Sequence, residues 1–258
     1  MGDIFTDWTF WSLIIAAVAV VLSQLPPVHL WFKSANLELE IHSSIFVSHL
    51  VGLPIFQVYI SLINTGGRTL RVRNITVEVS RDGQEPMELP IQGVFQRPDD
   101  NTSILFVPFT SKPGDEWIHN CTFHRTIARD EDREFREARS ALRMNIHDKI
   151  EQRKQLANIR SKIDVPPRGG LVEADEEVIT PLMRAFEERF SLVAGEYRMR
   201  VTAIAGDIHV QKDYDFTIFE SDEQDLRELA DDYKFGAWIY WERTDKEKYL
   251  RVPVRESP

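Results

Sequence analysis

Two periodicities divide this chain. From Ala35 to Ile41 apolar Leu37, Leu39 and Ile41 alternate with Glu38 and Glu40, and from Ile55 to Asn64 the residues Phe56, Val58, Ile60 and Leu62 face one way while Gln57, Tyr59, Ser61 and Ile63 face the other. A period of two is that of a half-buried strand. Thr69 to Ser80 resumes it with Leu70 and Val72, then Ile75, Val77 and Val79 one position out of step, which predicts a bulge near Arg73-Asn74. Asn64-Thr-Gly-Gly67 and Arg81-Asp82-Gly83 are turn signals. Ser103 to Thr110 reads as a strand that Pro108 confines to an edge or an end, and Gly195 to Phe219 reads as a closing hairpin.

The period changes to 3.6 between Arg125 and Ile163. Phe135, Leu142, Ile146 and Ile150, then Leu156, Ile159 and Ile163 after a slip, form one apolar seam on a charged helix of about nine turns. Val165-Pro-Pro-Arg-Gly-Gly170 interrupts it, and a second helix is expected from Ala174 to Leu192, with Pro181 at its start or at a kink. Together they predict an antiparallel helical pair inserted between strands. An acidic helix is expected over Ser221 to Tyr233, followed by a terminal hairpin made of Ala237 to Glu242 and Lys248 to Val254.

The first 33 residues follow neither period. Trp8 to Leu25 is uncharged and apolar on every side over about 27 Å, the length of a membrane span. Trp8, Trp11, Leu13, Ile14, Ile15, Val18, Val21, Leu22, Leu25 and Trp31 would form that anchor, with Trp31 and Lys33 at the headgroup level. A cleaved signal peptide needs a basic start and a small-residue cleavage site, and neither is present. The sequence therefore predicts an integral, single-pass protein of the cell membrane. Lys33 and the cluster Arg68 to Arg73 place the remainder on the cytoplasmic side.

Five segments follow: an anchor over 1–33, the first part of a β-sandwich over 35–124, a helical insertion over 125–194, closing strands over 195–219, and an acidic helix with a terminal hairpin over 220–258. The stretches NTGGRTLRVRNITVEVSRDG and AGEYRMRVTAIAGDIHVQKDYDFTIF resemble the early and last strand pairs of bacterial membrane-anchored immunoglobulin-like β-sandwich proteins, with Tyr197 where a tyrosine corner would put its ring. The resemblance implies an all-β immunoglobulin-like sandwich with a helical (α-hairpin) insertion behind one N-terminal transmembrane helix, α+β overall. Such sandwiches mostly bind other proteins or act as spacers, so no catalytic residue is implied.

Composition narrows the chemistry. A formal net charge of −10 over 258 residues argues against a nucleic-acid-binding protein. Cys121 is the single cysteine, which excludes a disulfide within the chain. His119 and Cys121, with His124, are the metal-ligand types at close spacing. On a strand His124 would point away from the other two, and no further pair completes four ligands, so neither metal nor cofactor is expected. His42, His49, His147 and His209 stand singly and are expected at the surface. No nucleotide-binding or hydrolase motif occurs, and carboxylate pairs such as Asp213 and Asp215 lie on charged elements. The sequence thus points to a non-enzymatic interaction or sensing module whose helical insertion meets a protein partner or a second copy. The alternative is binding of an anionic membrane or nucleic acid by the Arg-rich helix 125–163, against which its interleaved acidic residues count.

Overall fold

The computed structural model describes residues 8–24, 33–97, 100, 102–160, 171–243 and 246–257. Its centre is β3 (Leu53–Ile63), an eleven-residue strand whose Phe56, Val58, Ile60 and Leu62 are fully buried, as their alternation demands. Two shorter strands share one edge of β3: β1 (Glu38–Ile41) pairs its second half and β2 (Ser44–Leu50) its first. On the other edge lies β8 (Glu116–Phe123).

The sheet then turns a corner inside one strand. β5 (Met87–Phe95) pairs β4 (Leu70–Arg81) through Met87 to Pro90 and β8 through Ile91 to Phe95, with a register shift between Ile91 and Gly93. Beyond β4 come β9 (Gly195–Ala205) and β10 (Ile208–Ile218), a hairpin closed at Gly206 with φ of 64°. β4 pairs β9 with a register shift between Val72 and Asn74, the bulge expected from the slipped alternation.

A second corner is made by the end of the chain. β11 (Leu250–Pro253) pairs β2, and after Val254 β12 (Arg255–Glu256) pairs β10, so one short segment bridges the two remaining edges. Two small strands, β6 (Ile104–Leu105) and β7 (Phe109–Ser111), add to β5 and β4. Every ladder among the described residues is antiparallel, and the result is a nearly closed barrel.

This corrects the sandwich expected from the sequence. Two sheets facing each other with open edges would leave β5 in one sheet; here it belongs to both, and β11 with β12 stitches the opposite side. The tyrosine corner nevertheless forms locally. Tyr197 Oη donates to the Val193 carbonyl at 2.6 Å, and its ring stacks on Phe216 at 5.0 Å.

The single membrane span, and with it the single-pass cell-membrane placement and the cytoplasmic side, is also corrected. The apolar helix is α1 (Trp8–Gln24), 17 residues or about 26 Å, and no helix among the described residues is long and apolar enough to cross a membrane. Trp8, Trp11, Leu13, Ile15 and Val18 are exposed on it and Ile14 is half-buried, Val21 and Leu22 belong to the same helix, and Leu25 and Trp31 lie outside the described residues.

Four elements sit at one end of the barrel. The chain leaves β8 into α2 (Arg129–Arg160), returns through α3 (Glu176–Arg189) to β9, and leaves β10 into α4 (Glu220–Asp231) and a 3-10 turn over Asp232–Phe235. Pro181 lies inside α3. The expected terminal hairpin is half realised: Lys248 to Val254 contains β11, but Ala237 to Glu242 folds into a tight turn bridged from Ala237 to Trp241, with Trp238 at φ of 64°.

At the opposite end Asn64 ties two turns together. Its side chain is buried, donating from Nδ2 to the carbonyls of Arg68 and Ser111 at 2.9 Å each and accepting from the Gly66 N–H at Oδ1. Asn64→Ala is expected to cost about 2–3 kcal/mol in chemical denaturation, since it takes the shared donor from the Arg68 and Ser111 carbonyls, while the Gly66 N–H keeps the Asn36 carbonyl at 3.1 Å.

Candidate interaction surface on the helical cap

The seam read from the sequence is divided between two environments. Leu142 and Ile146 are fully buried, and Phe135 and Ile150 are half-buried, against a core that includes Leu182 and Phe186 of α3. That part of the seam is covered by the chain itself. α3 runs antiparallel to α2, since the guanidinium of Arg189 at its end acts on Glu131 near the start of α2, while Asp175 just before its start meets Asn145 and Lys149.

The slip in the apolar seam after Ile150 marks the place where this packing ends. On the seam face after Ile146 come Lys149 and Arg153, and each donates to the chain approaching α3. Lys149 Nζ reaches the Glu173 carbonyl at 2.9 Å and Asp175 Oδ1 at 2.6 Å, and Arg153 bonds the Leu171 carbonyl at 3.5 Å. Beyond them Leu156 is 58 % exposed, beside Leu171 at 46 %, and the two flank a notch of about 370 Å³ also lined by Gln152 and Val172. Ile159 is on α2 and Ile163 lies outside the described residues. Met144, on the opposite face of the helix, is 64 % exposed.

Part of the positive charge on and just before α2 is locally neutralised. Arg125 holds Glu131 at 2.9 Å, Arg133 holds Asp130 at 3.5 Å and Arg136 holds Asp132 at 2.8 Å. Lys154 pairs Glu151 and Lys149 pairs Asp175. An Arg-rich stripe aimed at phosphates would need those cations turned outward without carboxylates beside them.

The cap is fastened to the barrel by His49, on β2. It is buried, and its Nε2 donates to the Leu226 carbonyl of α4 at 2.7 Å. Nδ1 accepts from the Gly52 N–H at 3.3 Å and lies 3.2 Å from the Tyr233 hydroxyl, which itself accepts from the Val51 N–H. These partners require the neutral ring with its proton on Nε2. Phe186, Phe190 and Tyr233 surround it with centroids at 5.2, 5.6 and 6.5 Å. Burial pushes its pKa down to about 4; the bond to Leu226 acts the other way, and Lys248 adds to the depression.

The sequence placed His49 at the surface with the other single histidines, and His42, His147 and His209 are indeed exposed. Its position inside the apolar run Phe46-Val-Ser-His-Leu-Val51, two residues from the turning strand, was the available signal. A buried carboxylate, Asp232, was also missed. It takes Arg243 at 2.8 Å, Lys246 at 3.0 Å and the Trp238 indole N–H at 3.4 Å, holding the turn after the 3-10 segment.

Compared with known proteins, the chain matches no protein-family model and no curated protein sequence. Its chemistry therefore rests on the geometry alone. His119 and Cys121 both turn inward on β8, but Cys121 is buried with its thiol pKa pushed up by burial, so it keeps its proton, and His119 Nδ1 faces the Phe95 carbonyl at 3.1 Å. Among the described residues no three His, Cys, Asp or Glu side chains gather as metal ligands would. A second groove, about 310 Å³ between α4 and Lys246 to Leu250, is lined by Asp225, Glu228, Lys246, Lys248 and Tyr249.

Proposed function

We propose that this chain is a non-enzymatic protein-interaction module, in which the barrel is a rigid base and the far end of α2 receives a partner protein or a second copy. The observation that supports it is the notch beside Leu156: two leucines and Val172 line a surface depression large enough for one or two apolar side chains, with the cationic stems of Lys149 and Arg153 already fixed by bonds to the neighbouring backbone. Such a site is the form a binding hot spot takes, since an apolar anchor gains most where its surroundings are already ordered.

Charging the notch tests this. The double substitution Leu156→Glu with Leu171→Glu is expected to shift stability by no more than about 0.5 kcal/mol, both residues being well exposed, while abolishing recovery of the bound partner or of the self-associated form. Unchanged binding by a correctly folded double variant would remove the notch from the account.

A further inference from the structure

We propose that the His49 joint is a proton-operated release, by which mild acid detaches the helical cap from the end of the barrel while the barrel itself stays folded. The joint gathers three hydrogen bonds between the β2–β3 turn and the cap: His49 to Leu226, Tyr233 to His49, and the Val51 N–H to Tyr233. A proton on Nδ1 would turn an acceptor into a donor facing the Gly52 N–H, and the ring would become a cation among Phe186, Phe190 and Tyr233 with no anion against it.

The turn below is already under tension. Val51 is β-branched yet sits at φ of 48°, next to Gly52 at 82°, and a Cβ on Gly52 would come within 2.6 Å of the Phe186 carbonyl oxygen. A branched residue in the left-handed region is held there by its surroundings. Loss of the His49 bonds frees it.

The neighbouring charges do not cushion the change. Lys248, from the segment before β11, opposes a second positive charge on the ring. On α4, Arg227 lies over the Phe190 ring at 4.4 Å and is engaged by Glu223 at 2.8 Å and Glu187 of α3 at 3.6 Å, and Arg189 of α3 meets Gly52 through its main chain. The carboxyl of Glu223 is held below its usual range by the Ala194 N–H and Arg227, that of Asp175 by Lys149 and Asn145, and that of Glu131 by Arg125, so these ties persist through the pH range where a histidine first takes a proton.

The direction follows from the two forms of the ring. Above about pH 6.5 His49 is neutral whether the cap is closed or open, and opening is independent of pH. Below it the open form binds the proton first, because the closed form holds His49 near 4. Opening therefore rises as pH falls, by about 30-fold at pH 5, and levels off at about 300-fold below pH 4.

Hydrogen exchange of the whole protein at about pH 7.5 and pH 5, corrected for intrinsic rates, reads this directly. Amides of α3 and α4 are expected to lose about 30-fold protection at the lower pH while those of β4 and β9 change little, and His49→Gln, which keeps a donor for Leu226 and cannot be charged, is expected to flatten the response to under about threefold. Tyr233→Phe serves where the glutamine variant does not fold; by removing the hydroxyl beside Nδ1 and the acceptor for Val51 it raises opening at pH 7.5 and, because the closed form then resists the proton less, shrinks the acid response below about 30-fold with its onset still near pH 6.5. Equal loss in cap and barrel, or an unchanged response in His49→Gln, or unchanged opening at pH 7.5 together with an undiminished acid response in Tyr233→Phe, overturns the proposal.

Discussion

Gly52→Ala is expected to lose about 3–4 kcal/mol of stability. Two costs coincide. Gly52 has φ of 82°, where a Cβ costs about 1–2 kcal/mol, and that Cβ would stand 2.6 Å from the Phe186 carbonyl oxygen and 2.9 Å from the Phe190 nitrogen. Both atoms belong to the end of α3, which is fixed by Phe190 N–H bonding to the Phe186 carbonyl, so neither can move aside cheaply. Gly83 makes the control: its φ is 74°, but no heavy atom lies within 4 Å of an added Cβ. Gly83→Ala is therefore expected to cost only the backbone part, about 1 kcal/mol, and thermal or denaturant unfolding of the two variants separates collision from conformation.

Leu142→Ala is expected to cost about 3 kcal/mol, and Leu156→Ala less than about 0.5 kcal/mol, although the two residues fall on the same face of one helix. Leu142 is fully buried between α2 and the rest of the cap, so its truncation loses transfer free energy and leaves a cavity. Leu156 lies beyond Lys149 and Arg153, where α2 has passed the start of α3. Equilibrium denaturation of both variants checks it. Comparable losses at the two sites would mean that Leu156 is covered after all and would take the notch away from any partner.

The same seam shows what a sequence can and cannot reveal. Its period established the helix and its apolar face, and the slip after Ile150 was visible, but periodicity does not say what covers a face. Leu142 and Ile146 proved to be covered by α3, thirty to forty residues onward, and the seam available to others shrank to the neighbourhood of Leu156. The alternating strands were legible for a related reason: β9 and β10 bury one side only, and β3 and β4 depart from that mainly at Gln57 and Thr76, so their apolar pattern is clean. β2 was not, because Ser48 and His49 are buried beside Val47 and the alternation is lost. β5 carries Pro90 and Gly93 and changes partners halfway.

The step from sandwich to barrel was beyond local pattern. It depends on Ser44 pairing with Pro253 and Tyr214 with Glu256, contacts between distant parts of the chain that no run of residues announces. The Tyr197 corner is local, and so it could be read while the architecture around it was not. The apolar start misled in another way. Composition alone gave Trp8 to Leu25 a span's length, whereas the helix described ends at Gln24. His49 was hidden by its type, since single histidines are usually exposed, and its role emerges only when α4 and the 3-10 turn are placed over it.

Photo-crosslinking from position 156 tests the interaction account most directly. A benzophenone side chain placed there in the full chain, beside one placed at the exposed His209 on the β9–β10 hairpin, should give one defined protein adduct, a partner or a second copy, from position 156 and none from 209. The adduct should disappear when Leu171→Glu charges the other wall of the notch. No adduct from position 156, or equal adducts from both positions, would contradict the claim that the far end of α2 is where this protein binds another.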